Sequence, residues 1–270
     1  MLQKKYIYII IVLFFMSCTK DEEKIPSYIK INEINLVDHQ DTKNITDAWV
    51  YINDEIQGVY ELPAQFPIIN NGELEVRIKG GVKINGISST RIAYPFYSSY
   101  IETKTLTANQ ITTINPTLNY LDSANIINEI ELDIDSNNNS SISMTNLYEN
   151  DTIKYSFGAL IDSTLALELS SKEIENLPKS GAPVFLELDY KCNTEFLVGM
   201  YANNPQSVER KDLLWVNPKE EWNKIYVNLT PIVSESINAT SLSVFIRMER
   251  EFNIISNELS IKNIKLVYSN

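Results

Sequence analysis

From Val184 to Cys192 the chain carries Val, Leu, Leu, Tyr and Cys at even positions, while Phe185, Glu187, Asp189 and Lys191 fill the odd ones. Side chains of a strand alternate between two faces, so a run with this period suits a β-strand and not a helix. The pattern recurs. Leu74, Val76 and Ile78 alternate with Glu73, Glu75, Arg77 and Lys79, and Ile130, Leu132 and Ile134 alternate with Glu131, Asp133 and Asp135. Ile225, Val227 and Leu229 follow the same rule, as do Leu242, Val244, Ile246 and Met248. Turn signals separate these runs, among them Asn70-Asn71-Gly72 and Asn85-Gly86, where Asn and Gly accept positive φ. Long helical periodicity is absent, and the expected fold class is all-β.

Two segments are expected. A small β-sandwich occupies 28–119, opened by Ile29, Ile31, Ile34 and Leu36 and continued by Trp49-Val50-Tyr51-Ile52. A jelly-roll sandwich occupies 120–270, with the boundary between Asn119 and Ala124. In the last run, Leu259 to Leu266, the apolar phase slips by one between Ile261 and Ile264, which predicts a β-bulge.

The N-terminus reads as an address. Lys4 and Lys5 precede an uncharged run, Tyr6 to Met16, that ends Phe15-Met16-Ser17-Cys18. A cationic start, an apolar run and a small-residue end form a secretory signal, expected over 1–17. The run falls short of the roughly 20 residues that a membrane span requires. The end of the run resembles a bacterial lipobox, which implies lipidation of Cys18 on its sulfur and its new amino group. The other reading is an unmodified Cys after an ordinary signal. The acidic stretch Thr19-Lys20-Asp21-Glu22-Glu23-Lys24 resembles the export signal of Bacteroidota surface lipoproteins. It implies an outward-facing, lipid-anchored position in the outer membrane, with 18–27 as the tether. A plain solvated tether is the alternative.

Charge and cysteine content exclude several functions. The 23 Lys plus Arg against 35 Asp plus Glu give a net charge of −12, unsuited to the clustered cations that nucleic-acid phosphates need. Of the two Cys, acylation of Cys18 would leave Cys192 without an intramolecular partner, so no disulfide framework is expected. Cys192 falls on the apolar face of its strand and reads as a buried thiol.

Two further resemblances concern the segments. Val50-Tyr51-Ile52-Asn53, Gly58, Leu62-Pro63, Gly72 and Glu75-Val76-Arg77-Ile78 with Gly80 resemble the PEGA and carboxypeptidase-regulatory-like small β-sandwiches, which are accessory modules of envelope proteins. Tyr94-Pro95-Phe96-Tyr97 lies outside that pattern. Val184 to Asn193, Trp222 to Leu229 and Ile261 to Val267 resemble the galactose-binding-like jelly roll of carbohydrate-binding modules. That family often closes on aspartate-asparagine-isoleucine. Here Lys262-Asn263-Ile264 lacks the acid.

No residue set reaches the standard of a catalytic site. His39 is the single histidine, in Asp38-His39-Gln40-Asp41, and no Gly-x-Ser-x-Gly elbow accompanies it. Asp133-Ile134-Asp135-Ser136-Asn137 starts like a calcium loop. Asn138 and Met144 stand where an EF-hand needs Gly and Glu, so that reading fails, while an irregular calcium site stays open beside a plain turn. No metal or cofactor is expected. Candidate ligand-binding aromatics are Trp215, in the polar stretch Lys211 to Glu221, and Tyr94 and Tyr97; core packing is the alternative for each. The expectation is a non-enzymatic surface lipoprotein that binds glycan, or else an assembly component that docks an envelope protein.

Overall fold

A computed structural model describes residues 24–37, 43–128, 132–134, 145–149, 152–160 and 164–269. The expected signal over 1–17, Cys18, the acidic residues to Glu23, His39 and residues 135–137 of the calcium-like run lie outside the described residues. Strands dominate, and the all-β expectation holds.

The N-terminal sheets use ten strands: β1 (Ser27–Ile31), β2 (Asn35–Leu36), β3 (Asp47–Ile52), β4 (Glu55–Glu61), β5 (Ala64–Ile68), β6 (Gly72–Lys83), β7 (Arg91–Ala93), β8 (Tyr100–Leu106), β9 (Ile111–Ile114) and β10 (Thr117–Leu118). One sheet runs β4-β3-β6-β7 with β8 also on β6, and a second runs β5-β1-β9. Their inner faces bury Val50, Ile52, Val76 and Ile78 against Ile29 and Ile31. Both predicted turns carry positive φ, 103° at Gly72 and 56° and 69° at Asn85 and Gly86.

The C-terminal sandwich uses β11 (Asn125–Asn128), β12 (Leu132–Ile134), β13 (Thr145–Glu149), β14 (Thr152–Leu160), β15 (Ala166–Ser171), β16 (Ile174–Glu175), β17 (Val184–Cys192), β18 (Phe196–Asn204), β19 (Ser207–Val216) and β20 (Lys219–Asn228). A short helix, α1 (Thr230–Glu235), opens on Pro231 and leads to β21 (Ser241–Glu249) and β22 (Asn257–Tyr268). One sheet is β13-β14-β22-β17-β20 with β11 on β22; the other is β12-β15-β21-β18-β19 with β16 on β21. Leu186, Leu188, Ile225, Val227 and Leu266 of the first face Val198, Met200, Val244 and Ile246 of the second. The phase slip is a register shift. Glu187 pairs with Lys265 and Asp189 with Lys262, and Asn263 between them takes φ 52°.

The face of β17 opposite its apolar residues is covered as well: Phe185, Glu187 and Asp189 are buried. The N-terminal sheets cover Phe185 and Glu187. Phe185, Tyr226 and Val267 share a core with Tyr94, Phe96 and Tyr97. Tyr94 stands edge-on to Phe185 at 5.4 Å between ring centres. The edge strand β20 is closed in the same way. Ile84 bridges Tyr226, the Asn85 amide donates to the Tyr226 carbonyl at 2.8 Å, and Asn44 Nδ2 donates to the Lys224 carbonyl at 2.8 Å. An uncovered edge strand invites pairing with other chains, so this closure serves solubility as well as docking.

Polar groups complete the interface. Tyr94 donates to Glu187 Oε1 at 2.6 Å and Tyr120 to Oε2 at 2.7 Å, and Lys224 Nζ lies 2.9 Å from Oε2. The hydroxyls of Tyr97 and Tyr226 meet at 3.0 Å. Burial holds the Tyr94 and Tyr97 phenols well above their ordinary range, and the Glu187 carboxylate pushes both further.

Two outcomes are expected. Glu187→Ala removes the carboxylate 2.9 Å from buried Lys224 and leaves that cation only the charge of Asp189 opposite, costing about 3–5 kcal/mol. Tyr94→Phe removes one hydrogen bond to a charged group, costing about 1.5–3 kcal/mol. Urea unfolding measures both, and equal costs would contradict the arrangement. The raised phenol pKa values mean that the native state keeps protons which the unfolded chain releases. The stability they contribute is complete below about pH 10 and is lost as pH rises further. Circular dichroism and tyrosinate absorbance should therefore change together on the alkaline side.

Candidate functional site

The sheet β12-β15-β21-β18-β19 turns one face inward and the other away from the N-terminal sheets. Phe196, Val198, Met200 and Ala202 of β18 point inward, so Leu197, Gly199, Tyr201 and Asn203 point outward. Pairing extends these positions across the sheet. Leu197 lies opposite Trp215 on β19 and Arg247 on β21, and Arg247 lies opposite Glu168 on β15. Gly199 lies opposite Asp212 and Phe245, and Tyr201 opposite Arg210 and Ser243.

Trp215 is 43% exposed and stands at the edge of this face. Strands are spaced about 4.8 Å apart, which puts Arg247 two strands and about 10 Å from it. Between them the backbone is shaped for a flat ring. A Cβ on Gly199 would meet Phe245 Cζ at 2.4 Å and the Lys211 carbonyl oxygen at 2.5 Å. Glycine therefore lets Phe245 lie across the sheet. The Arg210 guanidinium covers that ring at 4.5 Å, and Tyr201 leans on it at 5.0 Å.

Buried Glu168 organises the cations. Its Oε2 accepts from Arg210 Nη1 at 3.0 Å and from Arg247 Nη1 at 3.1 Å, and Tyr201 donates to its Oε1. Asp212 holds Arg210 Nε at 2.7 Å, and Glu249 holds Arg247 Nε at 2.8 Å. Burial disfavours both charged guanidiniums, but the bonds to Asp212 and Glu249 and the charge of Glu168 outweigh it and raise both pKa values. Phe245 is fully buried beneath Arg210, so the apolar surface on this face is the exposed indole of Trp215 beside fixed donors and acceptors, matched to a ligand with one apolar face and a rim of hydroxyls. Each arginine is neutralised locally, so the face has no cation excess for a polyanion.

The other sequence candidates lie elsewhere. Tyr94 and Tyr97, 3% and 6% exposed, are placed in the interface between the two sets of sheets, where their rings are covered. Trp222 is half-buried against Tyr155 at 5.5 Å and under Lys262 at 4.5 Å. Trp49 is half-buried on β3. Cys192 is buried and its thiol pKa is pushed up by that burial. Among the described residues, no three His, Cys, Asp or Glu side chains gather to hold a metal. Arg210, Arg247 and Glu168 were not singled out from sequence. They come from three strands, with Glu168 42 residues from Arg210 and 79 from Arg247, and only pairing brings them together.

No family model matches the chain, and no curated protein matches it. Similar solved structures include a mutant family 29 carbohydrate-binding module complexed with mannohexaose, at 12% identity over 53% of this chain and 92% of that chain, TM-score 0.33. A family 30 carbohydrate-binding module of a Clostridium thermocellum cellulosomal cellulase is 9% identical over 52% of this chain and 90% of that chain, TM-score 0.37. The enzymatically active domain of bacteriophage CBA120 tailspike protein 4 is 11% identical over 54% of this chain and 19% of that chain, TM-score 0.32. At these identities and TM-scores the likeness assigns neither a family nor a ligand.

Proposed function

We propose that the protein is a non-catalytic glycan-binding lipoprotein, anchored in the outer membrane through Cys18 and facing outward. Its binding surface is the outer face of β12-β15-β21-β18-β19. The observation that carries the reading is Trp215, a large aromatic side chain held 43% exposed beside fixed polar groups. An exposed indole stacks on the apolar face of a pyranose, while Arg247, Arg210, Asp212 and Glu249 meet hydroxyls at its rim. Two arginines against three carboxylates leave a slight negative excess, which favours a neutral polysaccharide over a sulfated or uronic one.

A second reading, docking of an envelope protein, has one observation in its favour. Ile56, Val59 and Ile101 are exposed on the outer face of β4-β3-β6-β7 and β8, beside Tyr51 and Trp49.

Calorimetric titration with neutral polysaccharides tests the first reading. Binding should occur, and Trp215→Ala should weaken it at least about tenfold, equivalent to about 1.4 kcal/mol. Unchanged affinity in the variant would remove Trp215 from the site. A blank with every glycan, together with crosslinking of an envelope protein through the Ile101 face, would put the second reading in its place.

A further inference from the structure

The outer face of β5-β1-β9 is apolar at one end only. β1 buries Ser27, Ile29 and Ile31, so Tyr28 and Lys30 point outward. Tyr28 pairs with Pro67 on β5 and with Ile111 on β9, giving an apolar row across all three strands. One step toward the chain start, the register that pairs Ser27 with Ile68 sets Pro26 beside Ile69. One step the other way the row is Gln65, Lys30 and Thr113, which is polar.

The apolar end is also where the chain enters the fold. The Ile25 carbonyl accepts from Asn71 Nδ2 at 3.0 Å, and the Pro26 carbonyl accepts from the Asn109 amide at 2.8 Å. These bonds clamp the entering segment between two turns. Ile25, Ile69 and Ile111 are 60%, 61% and 55% exposed there. Singly exposed apolar residues are ordinary, but three around one strand end, joined by Pro26, Tyr28 and Pro67, form a patch.

The length of chain outside the patch says what can cover it. Lys24 is six peptide steps from Cys18, and a fully extended chain gains at most about 3.6 Å per residue, so the span is about 22 Å. Any bilayer holding Cys18 is thus kept within reach of the patch, and a tethered surface acts at high effective concentration. Lys20 and Lys24 against Asp21, Glu22 and Glu23 leave the tether with no cation excess to attract anionic lipid, so the contact is apolar in origin.

We propose that this end of β5-β1-β9 rests on the lipid surface, with Ile25, Ile69 and Ile111 in the boundary between headgroups and acyl chains. The proposal rests on Cys18 carrying the lipid. The sandwich then stands on the membrane at a fixed tilt instead of swinging on its tether.

The test uses the full-length protein, purified from a lipidating host and reconstituted in phosphatidylcholine vesicles. An environment-sensitive NBD label goes on Ile111→Cys and, separately, on Ile69→Cys. Buried Cys192 stays unlabelled, and Ile255→Cys, at a 93% exposed position, is the aqueous control. The expected result is a blue-shifted NBD emission at both patch positions, quenched by doxyl-labelled lipid, with neither effect at position 255. Mass spectrometry of the N-terminal peptide reports the state of Cys18. Acylated Cys18 with aqueous patch labels would overturn the contact and leave the anchor standing. Unacylated Cys18 would overturn the anchor and the contact together. A blue shift that depends on protein density and resists lipid quenching would assign the patch to a second copy of the chain and overturn the proposal.

Discussion

The buried carboxylate of Glu187 is the group on which the arrangement of the two halves depends. It lies in β17, covered by the N-terminal sheets, with Lys224 beside it and the hydroxyls of Tyr94 and Tyr120 bonded to it. A buried ion pair is weak evidence for net stability, because desolvation offsets much of its attraction. Its consequence here is geometric. The aromatic contacts of Tyr94, Phe96 and Phe185 tolerate sliding, whereas the carboxylate is satisfied in one docking position only. The hypothesis is that burial of apolar surface drives the two halves together and that Glu187 sets their register.

This docking leaves the C-terminal sandwich with two unlike outer faces. Phe185, Glu187, Tyr226 and Val267, on the sheet containing β17, are covered by the N-terminal sheets. The other sheet carries Trp215 and the Glu168–Arg210–Arg247 cluster on its far side, one sandwich layer away. Stacked sheets lie about 10 Å apart, so the proposed glycan face points away from the N-terminal sheets. Standing the β5-β1-β9 end on a membrane would hold that face at a constant attitude.

What could be read from sequence divides along a physical line. Alternation within one strand is local, so β6, β17 and β21 were legible, as were the Asn85-Gly86 turn and the bulge at Ile261 to Ile264. Trp215 stood out because its neighbours are polar. What lies above a strand face is not local. The alternation of β17 places Phe185, Glu187 and Asp189 together on one face but does not say what lies over it, and only the docking of the N-terminal sheets on Phe185 and Glu187 shows that. The aromatic run Tyr94 to Tyr97 likewise falls outside the small-sandwich pattern; its side chains serve the interface. The arginine cluster was hidden for the same reason, since Glu168, Arg210 and Arg247 meet only through strand pairing.

The central claim is that the two halves form one cooperative body, locked at Glu187. Native-state hydrogen exchange tests it most directly. The slowest amides of β3 and β6 and those of β17 and β21 should report one common opening free energy, with the same dependence on denaturant. Two separate classes, with the N-terminal strands opening at markedly lower free energy while the C-terminal sandwich stays protected, would contradict it.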